Sequence, residues 1–141
     1  MKPTHIVIHH SLTKDNATVS WDAIRWYHTH TNGWTQIGYH LGIELIGNHY
    51  EVLMGRMMNE VGAHCKDGGM NSKSIGICLV GNFDHDPPCI AQMDILIKLT
   101  RSLMELFSIP AENVNRHSDF AGYKSCPGTA FPWSAFKAAI Q

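Results

Sequence analysis

Hydrophobic and polar positions change period several times along this chain. Residues 4–9, Thr-His-Ile-Val-Ile-His, form a short apolar run that predicts a buried strand. Alternation sets His9 on the face of Val7, opposite Ile6 and Ile8. Residues 11–19 are polar and predict a loop. Ser20 then fits a helix N-cap with Asp22 in the first turn. That helix runs through Trp21, Ile24, Tyr27 and His28 and ends at Asn32-Gly33. On it, His28 and His30 read as solvent-facing residues or as supports for a neighbouring group.

Residues 36–46 predict a strand, Gly47-Asn48 a turn and residues 49–54 a return strand, together a hairpin. Tyr39 and His40 lie near its start and face opposite sides. Gly38 and Gly42 weaken a strand, so they predict a bend or the close approach of another backbone. Residues 55–73 are irregular and rich in Gly, Asn and Lys, and a long loop in a compact domain is often functional. His64 and Asn71 are its candidates for substrate contact; the plainer reading is that they tie down the loop's own backbone.

Residues 74–81 are nearly all apolar and predict a central strand buried on both faces, with Cys78 as a packed apolar side chain. A turn-rich stretch follows from Asn82 to Pro88. Ile90, Met93, Ile97, Thr100, Met104 and Phe107 then recur at steps of three and four, widened by Leu96 and Leu103, and predict a helix over 90–107. Pro110 ends that region, Val114 leads into a loop carrying His117, and a terminal helix is expected over 133–140. Strands mixed with helices, one hairpin among them, predict an α/β fold: a mixed central β-sheet flanked by helices. At 141 residues the expectation is a single domain over 1–141, large enough to bury a core.

Composition narrows the function. The formal charge is -1 and the eleven Lys and Arg are scattered, so no basic run points to nucleic acid or to an anionic membrane surface. Ten histidines are many for this length and favour metal chemistry. The cysteines Cys65, Cys78, Cys89 and Cys126 form no Cys-x-x-Cys pair, which argues against a four-cysteine zinc site. The N-terminus shows no charged segment followed by an apolar one, and no stretch approaches a membrane span. The expectation is a chain made in the cytoplasm, not inserted in a membrane, whose access to any outside substrate depends on something else.

Candidate chemistry concentrates in Asn115 to Gly128, which places His117, Lys124 and Cys126 in one stretch. Imidazole and thiolate are good zinc ligands, and two of them need a third. The strand-end histidines at 9 and 10 are the obvious donors. The reading is one zinc ion per chain held by His9, His117 and Cys126, with the fourth position open to water. Lys124 would bring a fixed positive charge close to whatever binds there. Tyr39 is either a core tyrosine or a phenol aimed at the attacking water, and spacing does not choose between them.

Several segments resemble the zinc-dependent type 2 N-acetylmuramoyl-L-alanine amidases, and within them the short phage lysozymes. They are Ile6-Val7-Ile8-His9, Gly33-Trp34, Ile37-Gly38-Tyr39-His40, Gly55-Arg56, Asn71-Ser72, Ser74-Ile75-Gly76-Ile77, Leu79-Val80-Gly81, and His117 with Lys124-Ser125-Cys126-Pro127. Together they span almost the whole chain in the family's order. The same fold serves the peptidoglycan recognition proteins, some of which bind the wall without cutting it. The resemblance implies His9, His117 and Cys126 as zinc ligands, with His10 a neighbour, and Tyr39 and Lys124 as the two catalytic side chains. Gln36 stands where an acidic residue is common in the family, and the turn at Gly47-Asn48 is differently composed. Cys126 stands where some relatives carry Asp, which points to the phage and recognition-protein branch.

The reaction implied is hydrolysis of the amide joining N-acetylmuramic acid to L-alanine in peptidoglycan, by a phage or prophage endolysin acting on the wall after release. Lys124 would stabilise the oxyanion and Tyr39 would orient water and take part in proton transfer. Competing expectations are a non-catalytic peptidoglycan-binding module, a cysteine hydrolase with Cys126 as nucleophile and His117 as base, and a structural zinc site.

Overall fold

In the computed structural model, residues 1–13 and 21–141 are described; the expected Ser20 cap lies outside them. Five strands, β1 (His5–His10), β2 (Leu41–Ile46), β3 (His49–Met54), β4 (Ser74–Leu79) and β5 (Val114–Arg116), form one sheet in the order β3-β2-β4-β1-β5. Among the described residues only the β2–β3 hairpin is antiparallel; β2, β4, β1 and β5 run parallel. This is the mixed sheet expected.

Alternation along the central strands separates two faces. Ile6, Ile8, Ile75, Ile77 and Leu79 point into the main core, which is completed by Leu96 and Leu103 of α2 (Ile90–Phe107) and by Phe136 and Ile140 of the terminal helix. Gln92 of α2 is buried and donates to the carbonyls of Ile43 (3.3 Å) and Val80 (3.0 Å), closing the ends of β2 and β4. The buried face of α2 is Gln92, Leu96, Thr100 and Leu103, and Ile90 is 82% exposed, so the helix is turned from the expected stripe toward its widening residues.

The opposite face carries Val7 and His9 from β1, Gly76 and Cys78 from β4, and Gly42 from β2, in register His9↔Cys78 and Gly42↔Cys78. Its small residues leave space. A side chain at Gly42 would collide with the Trp21 ring, so the aromatic of α1 (Trp21–Trp26) lies where a strand side chain would otherwise stand. A wider helical turn, Tyr27–Thr31, continues α1 and ends at Asn32 and Gly33, which has φ +70°.

The expected strand over 36–46 begins later, at Leu41. Upstream of it the backbone finds other partners: Gly38 N–H donates to His28 Nδ1 (3.0 Å) and Gly38 O accepts from Ala63 N–H (3.0 Å). The expected close approach does occur at Gly38, where an added Cβ would meet the Ala63 carbonyl oxygen at 2.5 Å. The stretch carrying His117, read as loop, opens with a one-turn helix, α3 (His117–Phe120). Asp119 fixes it by accepting from Arg116 N–H (2.8 Å) and from the Arg116 guanidinium (2.8 and 3.0 Å). The last helix, α4, spans Trp133–Ile140 as expected.

Candidate active site

Parallel strands β1 and β5 are neighbours in register Ile6↔Val114 to Ile8↔Arg116, so both end on the same edge of the sheet. One residue further along each lies a histidine, His9 and His117, with ring centroids 4.5 Å apart. Open α/β sheets bind ligands at this end of their parallel strands. Cys126 is brought in by two ties: Ser118 N–H donates to the Cys126 carbonyl (2.9 Å), and Asp84 accepts from Ser125 Oγ (2.8 Å) and Thr129 N–H (3.0 Å). Ligating atoms of His9, His117 and Cys126 all lie within 4.8 Å of one another, and all three residues are buried.

Donor geometry fits zinc. The His9 Nδ1 to Cys126 Sγ distance is 3.7 Å. Tetrahedral zinc with its usual bonds to nitrogen and sulfur separates such a pair by about 3.6 Å. The His10 N–H points at the same sulfur at 3.4 Å, a donor suited to a thiolate. Burial pushes the Cys126 thiol up to about 12, against the opposing pull of that N–H and of Lys124. A buried thiol raised this far is the reverse of an activated nucleophile, which weighs against the cysteine hydrolase. Burial, then the charge of Lys124, lowers His117 to about 4; burial and the surrounding imidazoles hold His9 well below the usual histidine range. Both imidazoles are therefore neutral at pH 7, as ligation requires.

Tyr39 stands over this group, its ring 5.2 Å from that of His9. Burial, then the thiols of Cys78 and Cys126, raises its phenol well above 10, so it keeps its proton and acts as a donor. Lys124 is exposed, with Nζ 5.8 Å from the Tyr123 ring centroid, and Tyr123 in turn donates to Asp67 Oδ2 at 3.0 Å. His9, Tyr39, His117, Lys124 and Cys126 line one cleft of about 500 Å³. A groove of about 480 Å³, lined also by Asn71 and Asp67, shares His64, His117 and Lys124 with it. A larger hollow of about 700 Å³ lies beside the start of α2 and contains none of the five.

A family model described as N-acetylmuramoyl-L-alanine amidase matches residues 1–129. The chain belongs to this amidase family. Peptidoglycan-recognition protein SC2 of Drosophila melanogaster is 32% identical over 145 residues, covering 96% of this chain and 76% of the relative. The endolysin of Enterobacteria phage K11 is 37% identical over 123 residues, covering 85% of this chain and 77% of the endolysin. Among solved structures, the N-acetylmuramoyl-L-alanine amidase LysC from Clostridium intestinale URNW superposes with a TM-score of 0.85 at 34% identity, covering 99% of this chain and 85% of LysC.

Around these five residues the structure gives definite partners to others that the sequence reading left as neighbours, packing or candidates for substrate contact. His10 accepts from Phe83 N–H at Nδ1 (3.1 Å), anchoring the turn after β4 beneath the site. Cys78, read as apolar packing, lies in the small cluster that Tyr39 packs against, and its thiol bears on the phenol. Asn71 uses its side-chain oxygen on the backbone, accepting from His64 N–H and Cys65 N–H at 2.8 Å each. His64 has both ring nitrogens engaged, Nδ1 with His9 Nε2 (3.0 Å) and Nε2 with the Ser74 carbonyl (3.3 Å). Burial, then the nearby His40, lowers its pKa to about 3.

Proposed function

We propose that this chain hydrolyses the amide between N-acetylmuramic acid and L-alanine in peptidoglycan, as one catalytic domain over 1–141 with zinc held by His9, His117 and Cys126. The observation that carries the proposal is the meeting of those three donors with Tyr39 and Lys124 in one cleft of an amidase-family chain. Zinc, when bound, supplies a Lewis acid and a water acidified to near neutrality. The Tyr39 phenol, kept protonated by its surroundings, orients the attacking water as a hydrogen-bond donor. Lys124, the exposed cation lining the cleft, stabilises the oxyanion as charge develops on the carbonyl. His64 and Asn71 border the path of the stem peptide; Asn71 would contact it through its amide nitrogen, since its oxygen is engaged.

Relatedness to phage endolysins supports an enzyme that acts on the wall after release. No helix among the described residues is long and apolar enough to cross a membrane. Likeness to a recognition protein over nearly the whole chain favours one second reading, a wall-binding module without turnover. Mass spectrometry of purified peptidoglycan after incubation decides between them. Stem peptides beginning at L-alanine, lost on chelation and restored by zinc, are the expected products. Wall binding with no released peptide would establish the module instead.

A further inference from the structure

We infer that His64 is a positioning residue that sets which nitrogen of His9 is free to bind a metal. The inference rests on the zinc reading above and adds the device that prepares His9 for it. A carbonyl oxygen only accepts, so the 3.3 Å contact between His64 Nε2 and the Ser74 carbonyl puts the His64 hydrogen on Nε2. Neutral His64 then presents a lone pair at Nδ1. Among the described residues, the group hydrogen-bonded at that lone pair is His9 Nε2, at 3.0 Å, so His9 donates from Nε2. A neutral imidazole holding its hydrogen on Nε2 has its lone pair on Nδ1, and Nδ1 is the His9 atom facing Cys126 at 3.7 Å. The Ser74 carbonyl thus dictates, through two imidazoles in series, the tautomer that ligation needs.

The fold holds the relay in place. The His64 ring is stacked where two glycines leave it room: an added Cβ would meet its Cδ2 at 2.5 Å from Gly62 and its Cγ at 2.5 Å from Gly76. His40 braces the same spot edge-on, with ring centroids 5.5 Å apart, and is itself fixed by the Glu60 carbonyl at Nε2 and by Gly76 N–H at Nδ1, 3.0 Å each. Asn71 holds the His64 backbone through His64 N–H. Partners on the outer nitrogen of a ligating histidine commonly change metal affinity 10- to 100-fold.

Long-range 1H–15N NMR of the metal-free wild type reads the tautomers directly, without turnover. Expected are Nε2–H forms for both His64 and His9. In His64→Ala, the Nδ1–H form of His9 should become populated and zinc affinity, measured by competition with a chromophoric chelator, should fall about 10- to 100-fold. His64→Asn keeps an acceptor at the Nδ1 position and should recover most of that loss. A His9 that carries its hydrogen on Nδ1 in the wild type overturns the relay. So does a His64→Ala chain with unchanged tautomer and unchanged zinc affinity. A wild type that binds no zinc overturns the metal reading, and the His9 tautomer in that same sample still decides the relay.

Discussion

His9 Nδ1 and Cys126 Sγ lie 3.7 Å apart although 117 positions separate them in the chain. A metal bridging them joins the first strand to the last loop, and its binding free energy adds to folding. Cys126→Ser and His117→Ala are therefore expected to lose zinc on dialysis and to unfold at lower denaturant. Elemental analysis and urea titration check this. Full zinc content in either variant would remove that residue from the ligand set.

Tyr39 and Lys124 flank the donors without belonging to them. Tyr39→Phe and Lys124→Ala should keep zinc and lose most hydrolysis. Removing one such transition-state donor costs ~3–4 kcal/mol, or about 10²- to 10³-fold in rate. Turnover assays on zinc-loaded variants test it; wild-type rates would end the assigned role.

Proton counting gives a pH dependence for zinc uptake. With His117 at about 4 and His9 held well below the usual histidine range by burial and its neighbours, both imidazoles are already neutral above pH 5, whereas Cys126 at about 12 still holds its proton. Binding then displaces one proton, so apparent affinity should rise about tenfold per pH unit between pH 5 and 7. Chelator competition at several pH values measures the slope. A slope near three would mean that both histidines are charged in the metal-free protein.

The same lowered histidines tie stability to acid. His64 at about 3 and His117 at about 4 both lie below their unfolded value of 6.5. As pH falls below about 6.5 the unfolded chain takes up protons first, so the metal-free fold loses stability from there down to about pH 3. Urea midpoints should drop between pH 7.5 and pH 5. A midpoint that rises over that interval would contradict the buried, neutral state of these rings.

Gln92 offers a test of the scaffold away from the chemistry. Its amide satisfies the Ile43 and Val80 carbonyls inside the core. Gln92→Leu should cost about 1–3 kcal/mol of stability by removing a partner of the buried Val80 carbonyl, while the Ile43 carbonyl keeps the Val80 N–H at 3.0 Å. Zinc affinity should stay within a few-fold of wild type. Equilibrium unfolding reports the first quantity and chelator competition the second.

Elements whose partners are periodic or local were legible in the residues alone. The 90–107 and 133–140 helices and the turn at Gly47-Asn48 follow from spacing and turn chemistry, and the structure carries all three. The strand start at Leu41 was not legible, because Gly38 just upstream bonds to His28 and Ala63, partners that no periodicity announces. His9, His117 and Cys126 could be paired because few residue types ligate zinc. His64 was read as a candidate for substrate contact, but its contact with His9 was not legible, since it depends on a carbonyl 10 residues away and an imidazole 55 residues away.

Placing β5 beside β1 has a consequence for biosynthesis. A centre that needs both His9 and Cys126 has extreme contact order: it cannot close on a nascent chain until residue 126 has cleared the ribosome. A wall-cutting protein so arranged is inert until Cys126 is available to the fold. Premature release yields fragments that lack a complete metal site, and catalytic competence arrives in a single late step.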